Sequence, residues 1–192
     1  MVNAKSLLFV LPLLSGCLTA KTPDVSTWTI EYAAAPSVAT ATPAEGSPRG
    51  NVRIAQVAVR APYDVKALAV MRSNGSLAFD PYNQFAALPA TLLKSAVQDA
   101  FLAHGTFRTV VPASSQLTTE LSAETTVTRL ALDCRTSGTR FATVELTVLL
   151  LKDRAAFASV RGAGRADALD GDYTRAFSEA FSQAVSSALA QL

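Results

Sequence analysis

The chain has 192 residues, 49% of them apolar and 17% charged, with 17 basic against 15 acidic side chains. This length suits one domain, and the apolar fraction excludes an intrinsically disordered chain. A formal charge of +2 without a basic stripe or tail excludes the electrostatic footprint of a nucleic-acid binder. One histidine and two cysteines leave little material for a zinc site or a disulfide framework.

The first residues read as an address. Lys5 precedes an apolar run over residues 6–14, which is shorter than the roughly 20 residues a membrane span needs but suits the apolar region of a signal peptide. Leu14-Ser15-Gly16 then leads directly into Cys17. Small residues there let an extended backbone enter a signal peptidase, and a cysteine directly after them has the form of a bacterial lipobox. On this reading residues 1–16 are the signal peptide and Cys17 becomes the lipidated N-terminus of the mature chain. Leu18 rather than an aspartate follows, so the expected location is the periplasm, anchored to the outer membrane. The other cysteine, Cys134, is left without an unmodified partner, and is expected to be reduced and partly or fully buried.

Residues 17–50 are expected to form a lipid-anchored tether. A polar stretch over 18–27 leads to a short alternating strand over 28–33 and then to an Ala/Pro-rich linker. A strand ahead of a linker must pair with the main domain to be stable, so Trp28 is expected to dock there.

The main domain is expected over 51–192. A β-rich run covers 52–60 and is ended by Ala61-Pro62-Tyr63-Asp64. Strands over 68–72 and 76–79 flank Asn74-Gly75, a strong hairpin signal, and Asp80-Pro81-Tyr82-Asn83 closes that unit. A helix over 85–104 carries the stripe Leu88, Leu92, Ala96, Val97, Ala100 and Phe101, and Gly105 stops it. A short strand over 107–111 ends at Pro112. Strands over 120–133, 139–151 and 155–165 form a meander. In the second of these Ala142, Val144, Leu146, Val148 and Leu150 share one face, the pattern of a sheet covered on one side. Asp170 or Asp172 caps a closing helix whose stripe runs from Tyr173 through Phe177, Phe181 and Val185 to Leu189. The sum is an α+β domain: a two-layer sandwich of a mostly antiparallel sheet with two amphipathic helices on one face.

Little of this inventory suits catalysis. His104 is the sole histidine and its place at a helix C-terminus accounts for it through the helix dipole. No Gly-x-Ser-x-Gly elbow surrounds a serine. Glu124 and Glu145 on neighbouring strands leave a carboxylate pair open beside the commoner reading of solvated charges. Gly162-x-Gly164 lacks the Gly-Lys-Ser/Thr of a phosphate loop and reads as a bulge or a close backbone approach. Phe177 and Phe181 read as core before they read as a lipid groove. The expectation is therefore a non-enzyme with no catalytic residue, cofactor or metal. Contact with a partner then falls to loops carried on the scaffold: residues 61–66 with Tyr63, and the hairpin tip 73–76 with Asn74.

The order of features resembles a known family. The lipobox, Trp28-Thr-Ile-Glu-Tyr32, the strand Val52-Arg-Ile-Ala-Gln-Val-Ala-Val59, Ala61-Pro62-Tyr63-Asp64, the segment 68–79 and the two helices are similar to the ABC-type transport auxiliary lipoproteins. That family includes the lipoprotein of the paraquat-inducible system. One departure is that Phe85-Ala86 stands where family members often carry a tryptophan, so the opening contact of the first helix is expected to differ. The resemblance implies a non-catalytic periplasmic component of a transport machine for lipids or hydrophobic compounds. Its implied partners are a mammalian-cell-entry (MCE) type periplasmic protein and, indirectly, an inner-membrane ABC permease and ATPase. Assembly into a homo-oligomeric ring is compatible with it. The alternative is a pilotin-like or envelope-assembly lipoprotein that chaperones an outer-membrane complex.

Overall fold

The computed structural model describes residues 24–33 and 49–192. Its elements in chain order are β1 (Ser26–Trp28), β2 (Arg49–Val59), β3 (Ala67–Met71), β4 (Leu77–Phe85), α1 (Pro89–His104), β5 (Phe107–Pro112), β6 (Leu121–Asp133), β7 (Phe141–Lys152), β8 (Ala155–Asp167) and α2 (Tyr173–Leu189). The eight strands form one sheet whose axis is β6. Along one edge of β6 lies β7, with β8 beyond it; the other edge takes β2 along its first half and the end of β3 at residues 132–133. Outside β2 lies β5, and outside β3 lie β4 and then β1. No helix among the described residues is long and apolar enough to cross a membrane.

The expected two layers and one-sided helices are present, but the expected mostly antiparallel pairing is not. Four of the seven strand pairings are parallel: β1–β4, β2–β5, β2–β6 and β3–β6. Only β3–β4 and the meander β6–β7–β8 are antiparallel. A sheet of hairpins would need each strand to pair with its neighbour in sequence. Here α1 is a crossover that returns the chain to the start of β2, so β5 enters parallel to it. Residues 113–120 then carry the chain from one edge of β2 to the other, and β6 runs on in the same direction as β5.

Two bulges keep the apolar residues on one face. Register shifts between Ile54 and Gln56 in β2, and between Val127 and Arg129 in β6. Each inserts one residue, which moves the inward positions from one parity to the other. So Val52 and Ile54 are followed by Val57 and Val59, and Ala123 and Val127 by Leu130 and Leu132, all buried. Without the extra residues the second half of each strand would turn its apolar side chains to solvent.

The helices cover that face. Helix α1 begins at Pro89, not at Phe85 as its periodicity suggests. Proline is tolerated in the first turn because its missing N–H is unpaired there anyway, and it bars the helix from starting earlier. Phe85 ends β4 instead, donating its N–H to the Lys66 carbonyl, and the buried stripe is Leu93, Ala96, Val97, Ala100 and Phe101. Leu88 is exposed. Helix α2 is capped by Asp172, whose carboxylate accepts the Arg175 N–H, and its expected stripe is buried throughout. The two helices touch one another, α1 lying over β2 and β5 and α2 over β7 and β8. Phe177 and Phe181 are fully enclosed, so both are core. Phe85 meets Phe177 edge to face with ring centres 5.5 Å apart.

The glycines of β8 set how closely α2 approaches. A Cβ on Gly162 would stand 1.8 Å from the Ala184 carbonyl oxygen, and one on Gly164 1.8 Å from that of Ala180. The helix backbone therefore rests directly on the strand. The same helix also shields the edge of β8: Gln183 Oε1 accepts the Arg165 N–H, and Gln191 Nε2 donates to the Arg161 carbonyl. These bonds occupy edge groups that could otherwise pair with another chain. The Thr125 hydroxyl, on the core face, is buried between Val57 and Val148 without a hydrogen-bond partner among the described residues.

These observations predict opposite outcomes for two small changes. Gly162→Ala must push back helix backbone rather than a flexible side chain, and should cost about 1–3 kcal/mol or more. Thr125→Val removes an unpaired hydroxyl at nearly constant shape, and should raise stability by roughly 1 kcal/mol. Denaturant unfolding of both variants measures this; a neutral Gly162→Ala or a destabilised Thr125→Val contradicts the packing described.

Candidate functional site

Residues 24–33 enter the domain alongside α2 and are fastened at every other residue. Trp28 Nε1 donates to Asn83 Oδ1 at 3.2 Å, and its ring meets Tyr173 edge to face at 5.2 Å. Beyond β1 the chain stays extended but leaves the sheet. The backbone N–H groups of Thr29, Glu31 and Ala33 donate to the hydroxyls of Thr174, Ser178 and Ser182, at 3.4, 3.0 and 2.9 Å. Two residues of extended chain advance about 6.6 Å, and four residues of helix about 6 Å. The two periods nearly match, so alternate N–H groups meet hydroxyls one helical turn apart. Ser182 also donates to the Ser178 carbonyl at 2.7 Å, which leaves its lone pairs for Ala33. Between the rungs Ile30 turns inward and is buried.

The expected docking of Trp28 is thus found, whereas the strand expected over 28–33 forms only at Ser26–Trp28. Its alternation reflects burial against a helix. The hydroxyl row escapes a hydrophobic stripe analysis because its members are polar. Its signal is a hydroxyl at every fourth residue of α2, beside the apolar stripe.

The two proposed contact residues are not brought together. Tyr63 lies in the turn after β2 and Asn74 at the β3–β4 tip, at opposite ends of β3, a separation of about 17 Å for a five-residue strand. Tyr63 is half-buried and packs on the core. Asn74 is exposed, and its Oδ1 accepts both the N–H and the hydroxyl of Ser76. That bond shapes the hairpin together with Gly75 at φ 79°. Asp80-Pro81-Tyr82-Asn83 does not end the unit: β4 runs on through it to Phe85, with Pro81 to Asn83 looped out of register against β3.

The remaining candidates separate as follows. Glu124 lies opposite Leu149, and Glu145 opposite Arg129, four residues along β7 and hence roughly 13 Å apart. They form no carboxylate pair, and Glu145 instead meets Arg129 at 2.9 Å in a solvent-exposed ion pair. Asp133 takes both arms of Arg135 at 2.9 and 2.7 Å, and this hydrogen bonding holds its carboxyl down to about 2. Because the folded value is depressed, its contribution is present above the ordinary carboxylate range and is lost as pH falls toward about 2. His104 contacts the Thr106 hydroxyl, and burial lowers its pKa. Cys134 is half-buried with no disulfide partner among the described residues, and burial pushes its thiol pKa upward. Among the described residues no three His, Cys, Asp or Glu side chains are grouped to hold a metal ion.

Two open depressions mark the surface. One of about 430 Å³ lies at the start of β6, lined by Arg53, Gln116, Thr118, Glu120, Asp153 and Arg154 among others. Its Arg53 donates to the carbonyls of Ala113, Ser115 and Leu117 and so organises the loop before β6. The other, about 240 Å³, lies on the uncovered sheet face between Arg60, Glu124, Thr126, Thr128, Thr147, Leu149 and Ser159. The expected signal peptide over 1–16, Cys17 and residues 34–48 of the expected linker lie outside the described residues, while residues 49–50, expected to end the linker, already belong to β2.

The hydroxyl row predicts a specific exchange pattern. In Ser178→Ala/Ser182→Ala, the amides of Glu31 and Ala33 should lose hydrogen-exchange protection while that of the β6–β7 ladder persists. Stability should fall by about 1 kcal/mol for each bond removed. Unchanged protection at residues 31 and 33 contradicts the fastening described.

No family model matches the chain, and no curated protein matches it. Solved structures do. Protein XCC0632 from Xanthomonas campestris, of family DUF330, superimposes with a TM-score of 0.64 at 20% identity, over 86% of this chain and 92% of that one. The crystal structure of an uncharacterised protein follows with a TM-score of 0.55 at 15% identity, over 88% and 93%. Lipoprotein GNA1162 from Neisseria meningitidis covers 62% of this chain and 84% of its own at 13% identity, with a TM-score of 0.29, below the level of a shared fold. At these identities the likeness is one of fold, and the fold of this chain is that of the DUF330 structure.

Proposed function

We propose that this chain is a bacterial envelope lipoprotein, anchored to the outer membrane through lipidated Cys17, which acts as a non-catalytic docking component of an MCE-type ABC transport system for lipids or hydrophobic compounds. The observation that carries the reading is the junction behind the lipobox. A cysteine placed for acylation is joined by a short tether to a segment bonded to α2 at residues 29, 31 and 33 and to β4 at Trp28. An anchor so fastened holds the folded domain near the membrane. The shared fold with the DUF330 protein adds support at the level of architecture, and the order of sequence features supplies the link to transport auxiliary lipoproteins. The chain's role in this reading is positional: acyl chains hold the domain, and its surface engages the periplasmic conduit.

Two experiments test it. Metabolic labelling with a fatty acid should mark the wild-type protein and leave Cys17→Ser unlabelled, because several acyl chains at about 0.8 kcal/mol per buried CH₂ make the anchor. Label persisting on Cys17→Ser contradicts the assignment. Binding to a purified MCE-type periplasmic protein from the same cell should be measurable, and weakened by changes at the loops 61–66 and 73–76. Asn74 and exposed Asp64 are better probes than Tyr63, whose ring packs on the core. Absence of binding by the wild-type protein removes the transport assignment.

A further inference from the structure

Nine large apolar side chains are exposed among the described residues; Leu102, Leu117, Phe157 and Leu169 stand singly on α1, before β6, on β8 and before α2, and the other five lie on one side of the sheet. Val25, Val65, Phe79, Tyr82 and Leu88 are all exposed, and all lie on β4 or directly beside it. Phe79 and Tyr82 belong to β4 itself. Val25 precedes Ser26, which pairs with Asn83, and so lies level with Tyr82 along the parallel β1–β4 pair. Val65 precedes Lys66, whose carbonyl accepts the Phe85 N–H, and Leu88 follows Phe85 by one turn of chain. Strand β1 is the outermost strand on this side of the sheet, so the apolar cluster occupies the edge at which the chain from Cys17 enters.

The length of that chain selects what covers this edge. Resting on the reading of Cys17 as the lipidated residue, the geometry points to a lipid surface: the β1–β4 edge lies against the bilayer, with Val25, Phe79 and Tyr82 at its interface. Fully extended, the stretch from Cys17 to Val25 spans at most roughly 29 Å, while a domain of this length is roughly 35–40 Å across. The tether is shorter than the domain is wide, so the surface near Val25 can reach the membrane and the opposite side cannot. Apolar side chains and a tyrosine are what a protein surface presents at a membrane interface. Phe157, equally exposed, sits at the start of β8 on the other edge of the sheet and serves as the contrast.

The test uses the purified lipidated protein in vesicles of phosphatidylethanolamine and phosphatidylglycerol containing headgroup spin-labelled lipid. The chain's single tryptophan is Trp28, next to the proposed contact, and its emission should be quenched. In a Cys134→Ala background, a fluorophore on Tyr82→Cys should be quenched and one on Phe157→Cys should not. Val25→Ser/Phe79→Ser/Tyr82→Ser, which changes only exposed positions, should keep the thermal midpoint and lose more than half of the Trp28 quenching. Equal quenching at 82 and 157, or none at Trp28, overturns the orientation while leaving the lipid anchor standing. If mass spectrometry finds no acyl groups on Cys17, the anchor reading fails and this inference fails with it.

Discussion

The seat of α2 on β8 is the constraint from which the rest of the architecture follows. Helices normally stand off a sheet by the length of the side chains between them. At Gly162 and Gly164 there are none, and the carbonyls of Ala180 and Ala184 occupy the space a Cβ would take. Alanines at 176, 180, 184 and 188 line the same side of the helix and are fully buried. This close seating brings Phe177 and Phe181 into the core and fixes the rotation of the helix about its axis. With that rotation fixed, the hydroxyl row at Thr174, Ser178 and Ser182 points sideways, to where residues 29–33 run. The junction of residues 29–33 with α2 is thus a consequence of two glycines in a strand on the far side of the helix.

The sheet solves a second problem, how one long strand serves two partners in succession. Strand β6 gives its first half to β2 and its end to β3, both parallel to it and both on one edge. The break between the two partners is where residues 60–66 leave the sheet. The β6 bulge at Val127–Arg129 falls at the same level, since Val59 is paired with Val127. A bulge adds local twist, and here it also restores the apolar phase for Leu130 and Leu132.

What the sequence made legible is the part governed by local periodicity. The strands of the meander, the stripe of α2 and the hairpin at Asn74-Gly75 were readable from spacing and residue type, whereas the choice of Asp172 over Asp170 as cap and of close approach over bulge at the β8 glycines needed the structure. The sense of strand pairing was not, because parallel and antiparallel partners bury the same alternation, and only the path of the crossover distinguishes them. The start of α1 was displaced because Leu88 and Phe85 fit a helical period that Pro89 forbids. Residues 28–33 alternate as a strand would, yet their partners beyond Trp28 are hydroxyls of a helix. Periodicity reports which side chains are covered, and says nothing of what receives the backbone bonds.

The direction of the junction bears on how it carries load. Residues 29–33 and α2 run the same way, since N–H groups in rising order meet hydroxyls in rising order. A pull on Val25 along the strand therefore loads the three rungs, the Trp28 bond to Asn83 and the buried Ile30 together, in shear. A pull away from the helix would load them one at a time from Trp28 inward. Individually such bonds contribute about 1 kcal/mol, so the junction resists peeling weakly and resists shear well. Trp28 stands at the end where peeling would begin, and it is the residue with the most attachments: parallel pairing with Phe85, the bond to Asn83 and the edge contact with Tyr173. The strongest fastening is placed at the end where a pull on the preceding chain would first act.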